Sequence, residues 1–285
     1  MILSILKTMR IFAISRASRF SIGAESRDAR IFRLVQEHLC ALGHTVEVLD
    51  EDDFVAVSTP STALSAPDCI IHMARSEAAL RLLEIYEQNG VVVLNSPTKM
   101  LRYNSRVKRF DALVGQSEFL PEYSSLVAET TYAGEYPVWA KAARNDAPAH
   151  AVELIADSQA LADYVRRAVA AGINHFSMEK PISGTLVKFY GVAGTDFARC
   201  YSCDSQFAEK QTVEIENIVR RFCAKDAEAL GLTFFGGDAI IDKNDTFRYI
   251  DFNDFPSYGR FAEEAASAIA GRLLNELRKV AQCSD

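Results

Sequence analysis

"FFGGDAIIDKNDTFRYIDFND", residues 234–254, decides the fold. Two apolar runs flank the turn residues Lys243, Asn244 and Asp245, which predicts a β-hairpin. Pro256 then ends the second strand in "YIDFNDFPSYG", residues 249–259. Residues two apart share one face of a strand. Asp251 and Asn253 therefore look the same way, and Asp238 on the facing strand can sit opposite them. Two carboxylates and an amide oxygen are hard ligands of the kind that take Mg²⁺ carried in with nucleotide phosphates. Like charges brought that close repel, so an otherwise apolar hairpin needs a cation between them. The plainer alternative is that Asp and Asn only cap a strand end.

The balancing positive charge lies upstream. Lys141 sits inside the apolar strand "YPVWAKAA" (136–143), and Lys188 repeats the pattern in "TLVKFYGV" (185–192). A lysine there either snorkels at a sheet edge or reaches into a cleft toward an anion. The segment "SPTKMLRYNSRVKRFDALVGQ" (96–116) reads as helical and basic, with Lys99, Arg102, Arg106, Lys108 and Arg109. Two strand lysines and a basic helix together favour a phosphate cleft.

Further out, the first third alternates strand and helix. "RIFAIS", "TVEVLD", "DCIIHMA" and "VVVLN" read as strands. "SRDARIFRLVQEHLCALG" reads as a helix with Ile31, Leu34, Val35, Leu39 and Leu42 on one face and Gly43 closing it. This order predicts a parallel sheet. "FLPEYSSL" breaks the pattern, which places a boundary near 118. Beyond it, "YPVWAKAARND" reads as a strand running into a polar loop. "HFSMEKPI", "GTLVKFYGVAG" and a short run near "FARCYSC" read as further strands. Helices follow at "SQALADYVRRAVAAGI", "TVEIENIVRRFCAKDAEALGL" and "EEAASAIAGRLLNELRKVA". Strands and helices without strict alternation predict an α+β region on antiparallel sheet.

The chain of 285 residues, 49% hydrophobic and 24% charged, suits two or three lobes of an ordinary soluble protein. A net charge of −7 argues against a general nucleic-acid or anionic-membrane binder. The start, "MILSILKTMRIFAISR", is broken by Lys7 and Arg10 and reads as neither signal peptide nor membrane span. The six cysteines include a lone Cys200-x-x-Cys203, read as reduced thiols of a cytoplasmic protein rather than a zinc or redox site.

The lysine strand, a hinge like "MEKPISG" (178–184), the strand "LVKFYGV", an Asp strand and a D-x-N strand, in this order, resemble the ATP-grasp superfamily. The match covers roughly residues 95–280, opening with "NSPTKMLRYNSRVKRF". The resemblance implies an α/β lobe over 1–118 and an ATP-grasp region over 119–285, two antiparallel subdomains clasping ATP about a hinge near 179–183. It implies that Lys108 and Lys141 contact ATP phosphates and that backbone groups from Glu179 through Lys180 to Ile182 hold the adenine edge. Asp238, Asp251 and Asn253 would hold Mg²⁺, with Mn²⁺ as a substitute. Lys188 would face the γ-phosphate and the substrate.

Two features depart from the ribosomal-protein glutamate ligase and glutathione synthetase pattern. The loop "AARNDAPAHAVE" (142–153) has no glycine, leaving Arg144 and His150 to cover phosphate, and Lys188 stands where such ligases usually carry arginine. Both resemble the inositol polyphosphate kinase branch, whose D-x-N-x-F-P-G-Y ending "DFNDFPSY" approaches, with Ser257 for glycine. Three readings follow. The first is a carboxylate–amine ligase acting through an acyl phosphate and releasing ADP. The second is a small-molecule kinase, with Lys188, His150 and Arg199 around a polyanionic acceptor. The third is a non-catalytic nucleotide-binding module. The expected partners are ATP and a small-molecule acceptor, with neither nucleic acid nor membrane; a homo-oligomer is compatible with them. "RASRFSIGAESR" (16–27), after the first strand, offers Arg16, Arg19 and Ser21 as acceptor-site candidates, because ligands gather at strand C-termini in α/β folds. His72 reads as an ordinary strand-end residue.

Overall fold

The computed structural model describes residues 8–20, 23, 25–57, 67–144, 151–204 and 207–283. Its first lobe is a parallel sheet of β1 (Arg10–Ser15), β2 (Thr45–Asp50), β3 (Cys69–His72) and β4 (Val92–Leu94), in the order β2-β1-β3-β4. Three helices connect these strands: α1 (Glu25–Ala41), α2 (Glu51–Val57) and α3 (Glu77–Gln88). In α1 the buried apolar face is Ile31, Phe32, Val35 and Leu39. Leu42 was expected on that face but is exposed, because the helix has ended at Ala41 and Gly43, at φ 86°, turns the chain back into β2.

The basic segment is two helices rather than one, α4 (Pro97–Arg102) and α5 (Arg106–Leu113). Ser96 and Ser105 are the reason. Each is extended, and its hydroxyl accepts from the third helical N–H, that of Lys99 or Lys108, so each starts its own helix.

The second sheet holds β5 (Tyr123–Val127), β6 (Val138–Ala142), β7 (Val152–Ile155) and β8 (His175–Glu179), antiparallel in the order β5-β8-β6-β7. Helix α6 (Ser158–Ala170) buries Leu161, Tyr164 and Ala168 against one face. Each large side chain so buried is worth roughly 1.5–3 kcal/mol. Two of these strands lie where the sequence suggests loop: β5 within the pattern break and β7 at the end of the glycine-free loop. Their side chains alternate between the sheet's two faces over only four or five residues, too few to stand out.

Pro181 stops β8, and the chain crosses to the third sheet: β9 (Gly184–Val192), β10 (Ala198–Ser202), β11 (Phe234–Asp242) and β12 (Phe247–Asp254), antiparallel in the order β10-β9-β11-β12. Helices α7 (Glu209–Ile218) and α8 (Ala224–Ala229) run on through a π-helical turn at Val219–Cys223. They cover one face, burying Val187, Phe189, Phe235 and Phe252 in a core continuous with the first lobe. Helix α9 (Ala262–Cys283) returns to pack on α1. The hairpin turn closes with Asp245 at φ 57°, a left-handed position that aspartate tolerates.

Candidate active site

The face of the third sheet opposite α7 and α8, packed at one end against α9, carries a polar row. Tyr201 pairs with Lys188, Lys188 with Asp238, and Asp238 with Asp251, so one residue from each of β10, β9, β11 and β12 stands side by side. Asn253 lies two residues further on and shares the face. Lys188 Nζ donates to Asp238 Oδ1 at 2.6 Å. Asn253 Nδ2 donates to Asp251 Oδ2 at 2.7 Å. The sheet therefore brings Asp238, Asp251, Asn253 and Lys188 together.

A bulge sets this register. Asp238 pairs with Asp251 but Ala239 pairs with Tyr249, which leaves Ile250 as the extra residue. As the outer strand, β12 also has backbone groups that no strand pairs. Helix α5 covers them. Arg106 Nη1 donates to Ile250 O at 3.2 Å, and Arg109 Nη1 to Phe252 O at 2.8 Å. These arginines are three apart and so share a helix face. Arg106 Nη1 also reaches Asp251 Oδ1 at 2.6 Å.

Lys141 arrives from the second sheet. Its Nζ donates to Ile250 O at 2.8 Å and to Glu179 Oε2 at 2.5 Å. Glu179 is buried, and Ser177 Oγ donates to its other oxygen at 3.0 Å. The two lobes thus meet through Lys141, Arg106 and the edge of β12. Burial alone would raise the Asp251 carboxyl. The Arg106 guanidinium, the Asn253 amide and the Lys141 ammonium outweigh that and lower its pKa to about 2. Apolar side chains stay open beside these charges. Leu186 precedes Lys188 by two residues on β9, while Val152 and Leu154 pair with Lys141 and Trp139 on β6.

The other expected residues sit elsewhere. Lys108 is exposed and donates to Asn104 at 3.0 Å; the restart of the helix at Ser105 turns Arg106, not Lys108, toward the cleft. Lys180 is exposed and pairs with Glu122 at 3.3 Å, while its N–H goes to Glu122 O at 2.9 Å. Ile182 lines a cavity of about 370 Å³ at the hinge with Pro181, Asp242 and Arg248. Arg199 is held away from the carboxylate row: its Nε donates to Glu264 of α9 at 3.0 Å, and Glu216 lies 3.8 Å from its Nη1. Arg19 pairs with Asp52 on the surface. Arg144 forms an isolated strand bridge with Ser105. His150 and Ser21 lie outside the described residues. His72 is fully buried, with Nε2 bonded to Asn95 O at 2.8 Å. Arg106 and the Glu179 side chain are the site residues that sequence reasoning missed. For Glu179 a signal was available: Ser177 and Glu179 alternate within an apolar strand and so share a polar face.

The oxygen donors fit a hard divalent cation. Asp238 and Asp251 are cross-strand neighbours, Asn253 adds an amide oxygen, and each carboxylate is already matched by a positive side chain. Among the described residues no group of three or more His, Cys, Asp or Glu side chains is arranged to hold a metal. Such a cation would therefore depend on ligand oxygens as well. Nor is any helix of the described residues long and apolar enough to cross a membrane.

No protein-family model and no curated sequence matches the chain. Solved structures do. A RimK-domain ATP-grasp protein from Sphaerobacter thermophilus is 18% identical with a TM-score of 0.66, covering 93% of this chain and 99% of that one. The D-alanine–D-alanine ligase of Bacillus anthracis, solved with ATP, is 10% identical with a TM-score of 0.69, covering 98% and 100%. The ATP-grasp ligase PsnB, solved with a minimal precursor, Mg and ADP, is 16% identical with a TM-score of 0.63, covering 95% and 98%.

Proposed function

We propose that this chain, whose fold is the ATP-grasp fold, is an ATP- and Mg²⁺-dependent carboxylate–amine ligase. The observation that carries the reading is the row Lys188–Asp238–Asp251 on the third sheet, faced by Lys141 and Arg106 across the cleft. Charges of both signs are held in place and neutralise one another. An incoming metal–nucleotide complex would take the place of these internal partners, so positive charge is already gathered where charge develops on the phosphates.

In this reading Lys141 and Arg106 turn from Glu179 and Asp251 to the phosphates. Asp238, Asp251 and Asn253 would hold Mg²⁺, which would neutralise charge on the transferring phosphoryl group. Leu186, Val152 and Leu154 flank the base, and the chain from Glu179 to Ile182 offers its backbone to the adenine edge. A substrate carboxylate oxygen attacks the γ-phosphorus and ADP leaves. The acyl phosphate then reacts with an amine, which forms the C–N bond, loses a proton and expels phosphate. Lys188 lies where charge develops on the transferred group. No covalent protein nucleophile is required.

The test is to incubate the protein with ATP·Mg²⁺ and pools of amino acids, and separately of inositol phosphates, and to follow ADP and new products. ADP, phosphate and an amide support the ligase. A phosphorylated alcohol without free phosphate selects the kinase reading, and nucleotide binding without ADP removes both.

A further inference from the structure

Asp254 ends β12 directly after Asn253, and alternation turns it to the other face of the sheet, away from the carboxylate row. It is buried, and two arginines from distant parts of the chain close on its carboxylate. Arg109 of α5 brings Nη2 to 3.9 Å from Oδ2. Arg75, just beyond β3 in the first lobe, brings Nη2 to 3.4 Å from Oδ1. Both arginines are themselves fixed. Arg109 Nη1 donates to Phe252 O at 2.8 Å and its Nε to Tyr103 O at 3.3 Å. Arg75 precedes Ser76, the cap of α3, and its N–H donates to the buried Glu51 at 3.1 Å.

These contacts bracket Asn253. The Phe252 carbonyl belongs to the peptide that leads into Asn253, and Asp254 is the residue that follows it. Arg109 therefore grips the chain on both sides of the amide donor. Asn253 in turn donates to Asp251 Oδ2 at 2.7 Å, so a shift of one moves the other. Strand pairing alone does not fix this stretch, because β12 is the outer strand and pairs only with β11. A buried ion pair adds little net stability over apolar packing, and its best-attested use is to select one arrangement. Mg²⁺ demands near-octahedral geometry, so a small displacement of its donors weakens the site.

We propose that Asp254 is a positioning residue for the metal ligands: held by Arg109 and Arg75, it fixes the end of β12 so that Asp251 and Asn253 present their oxygens together, and it ties that geometry to the first lobe. The proposal rests on the reading of Asp238, Asp251 and Asn253 as Mg²⁺ ligands, and adds a residue that touches neither metal nor nucleotide.

The experiment is calorimetric titration of AMPPNP into the full chain, once with excess Mg²⁺ and once with EDTA. The ratio of the two affinities is the metal enhancement. Partners that orient metal ligands change metal affinity roughly 10–100-fold. In Asp254→Asn the enhancement should fall at least about 10-fold, while the metal-free affinity stays within about twofold of wild type. Arg75→Gln leaves every group on β12 in place and should lower the enhancement by about threefold, again with metal-free affinity kept. It decides the matter alone if Asp254→Asn does not fold. An enhancement unchanged in the folded variant overturns the positioning role. So does an equal loss of affinity with and without Mg²⁺, which is what a merely structural residue would give. If the wild type itself binds AMPPNP no better with Mg²⁺ than with EDTA, the metal reading falls and this proposal with it; indifferent variants beside a Mg²⁺-dependent wild type remove only Asp254.

Discussion

Replacing Asp251 with asparagine removes the charge that meets Arg106 at 2.6 Å while keeping shape and one oxygen. The native carboxyl titrates at about 2. An unfolded aspartate titrates near 3.9, and the difference of about 1.9 units corresponds to roughly 2.5 kcal/mol. Asp251 keeps 30% of its side chain exposed, so solvent screening trims this to about 2 kcal/mol. The native pKa is depressed. The contribution is therefore fully present above pH ~4 and is lost as pH falls through about 2. Urea unfolding of wild type and Asp251→Asn should differ by about 2 kcal/mol at pH 7 and by roughly half that at pH 3. Equal stabilities at pH 7, or a gap that does not narrow with acid, would refute the ion pair as drawn. The same variant should abolish Mg²⁺-dependent ADP release while remaining folded, since Asp251 is assigned to the metal.

Lys188→Met should lower ADP release about 100-fold by removing charge beside the transferred group, and normal turnover together with normal nucleotide affinity would make Lys188 purely structural. Arg106→Gln should weaken Mg²⁺·AMPPNP binding about 10-fold, whereas Lys108→Ala should leave it unchanged; calorimetry on the pair tests which side of α5 meets the phosphates. Tyr249→Phe removes a donor at 2.9 Å from the buried Asp226, which Ser117 also serves at 2.6 Å. Burial already raises the Asp226 carboxyl despite these donors. The variant should lose about 1–2 kcal/mol in urea unfolding, and a loss below about 0.3 kcal/mol would contradict the network.

The hairpin was legible because its information is local, a turn between two apolar strands, but counting from the turn alone places Asp238 across from Ile250, and only the bulge brings Asp251 opposite it. The bulge was not legible, since an extra residue at Ile250 shows only in the pairing register. The basic helix was legible as a composition but not as a direction. Ser105 is one residue among many serines until its hydroxyl is seen to cap α5, and that cap decides that Arg106 and Arg109 face β12 while Lys108 faces water. Arg199 fell on the expected strand, but its partner Glu264 lies on α9, far along the chain.

The most direct test of the nucleotide cleft is calorimetric titration of Mg²⁺·AMPPNP into the wild type and into Lys141→Met. The account predicts one saturable site that requires Mg²⁺ and weakens at least about 10-fold without the Lys141 ammonium. Absence of saturable binding, or an affinity indifferent to both the metal and Lys141, would contradict it.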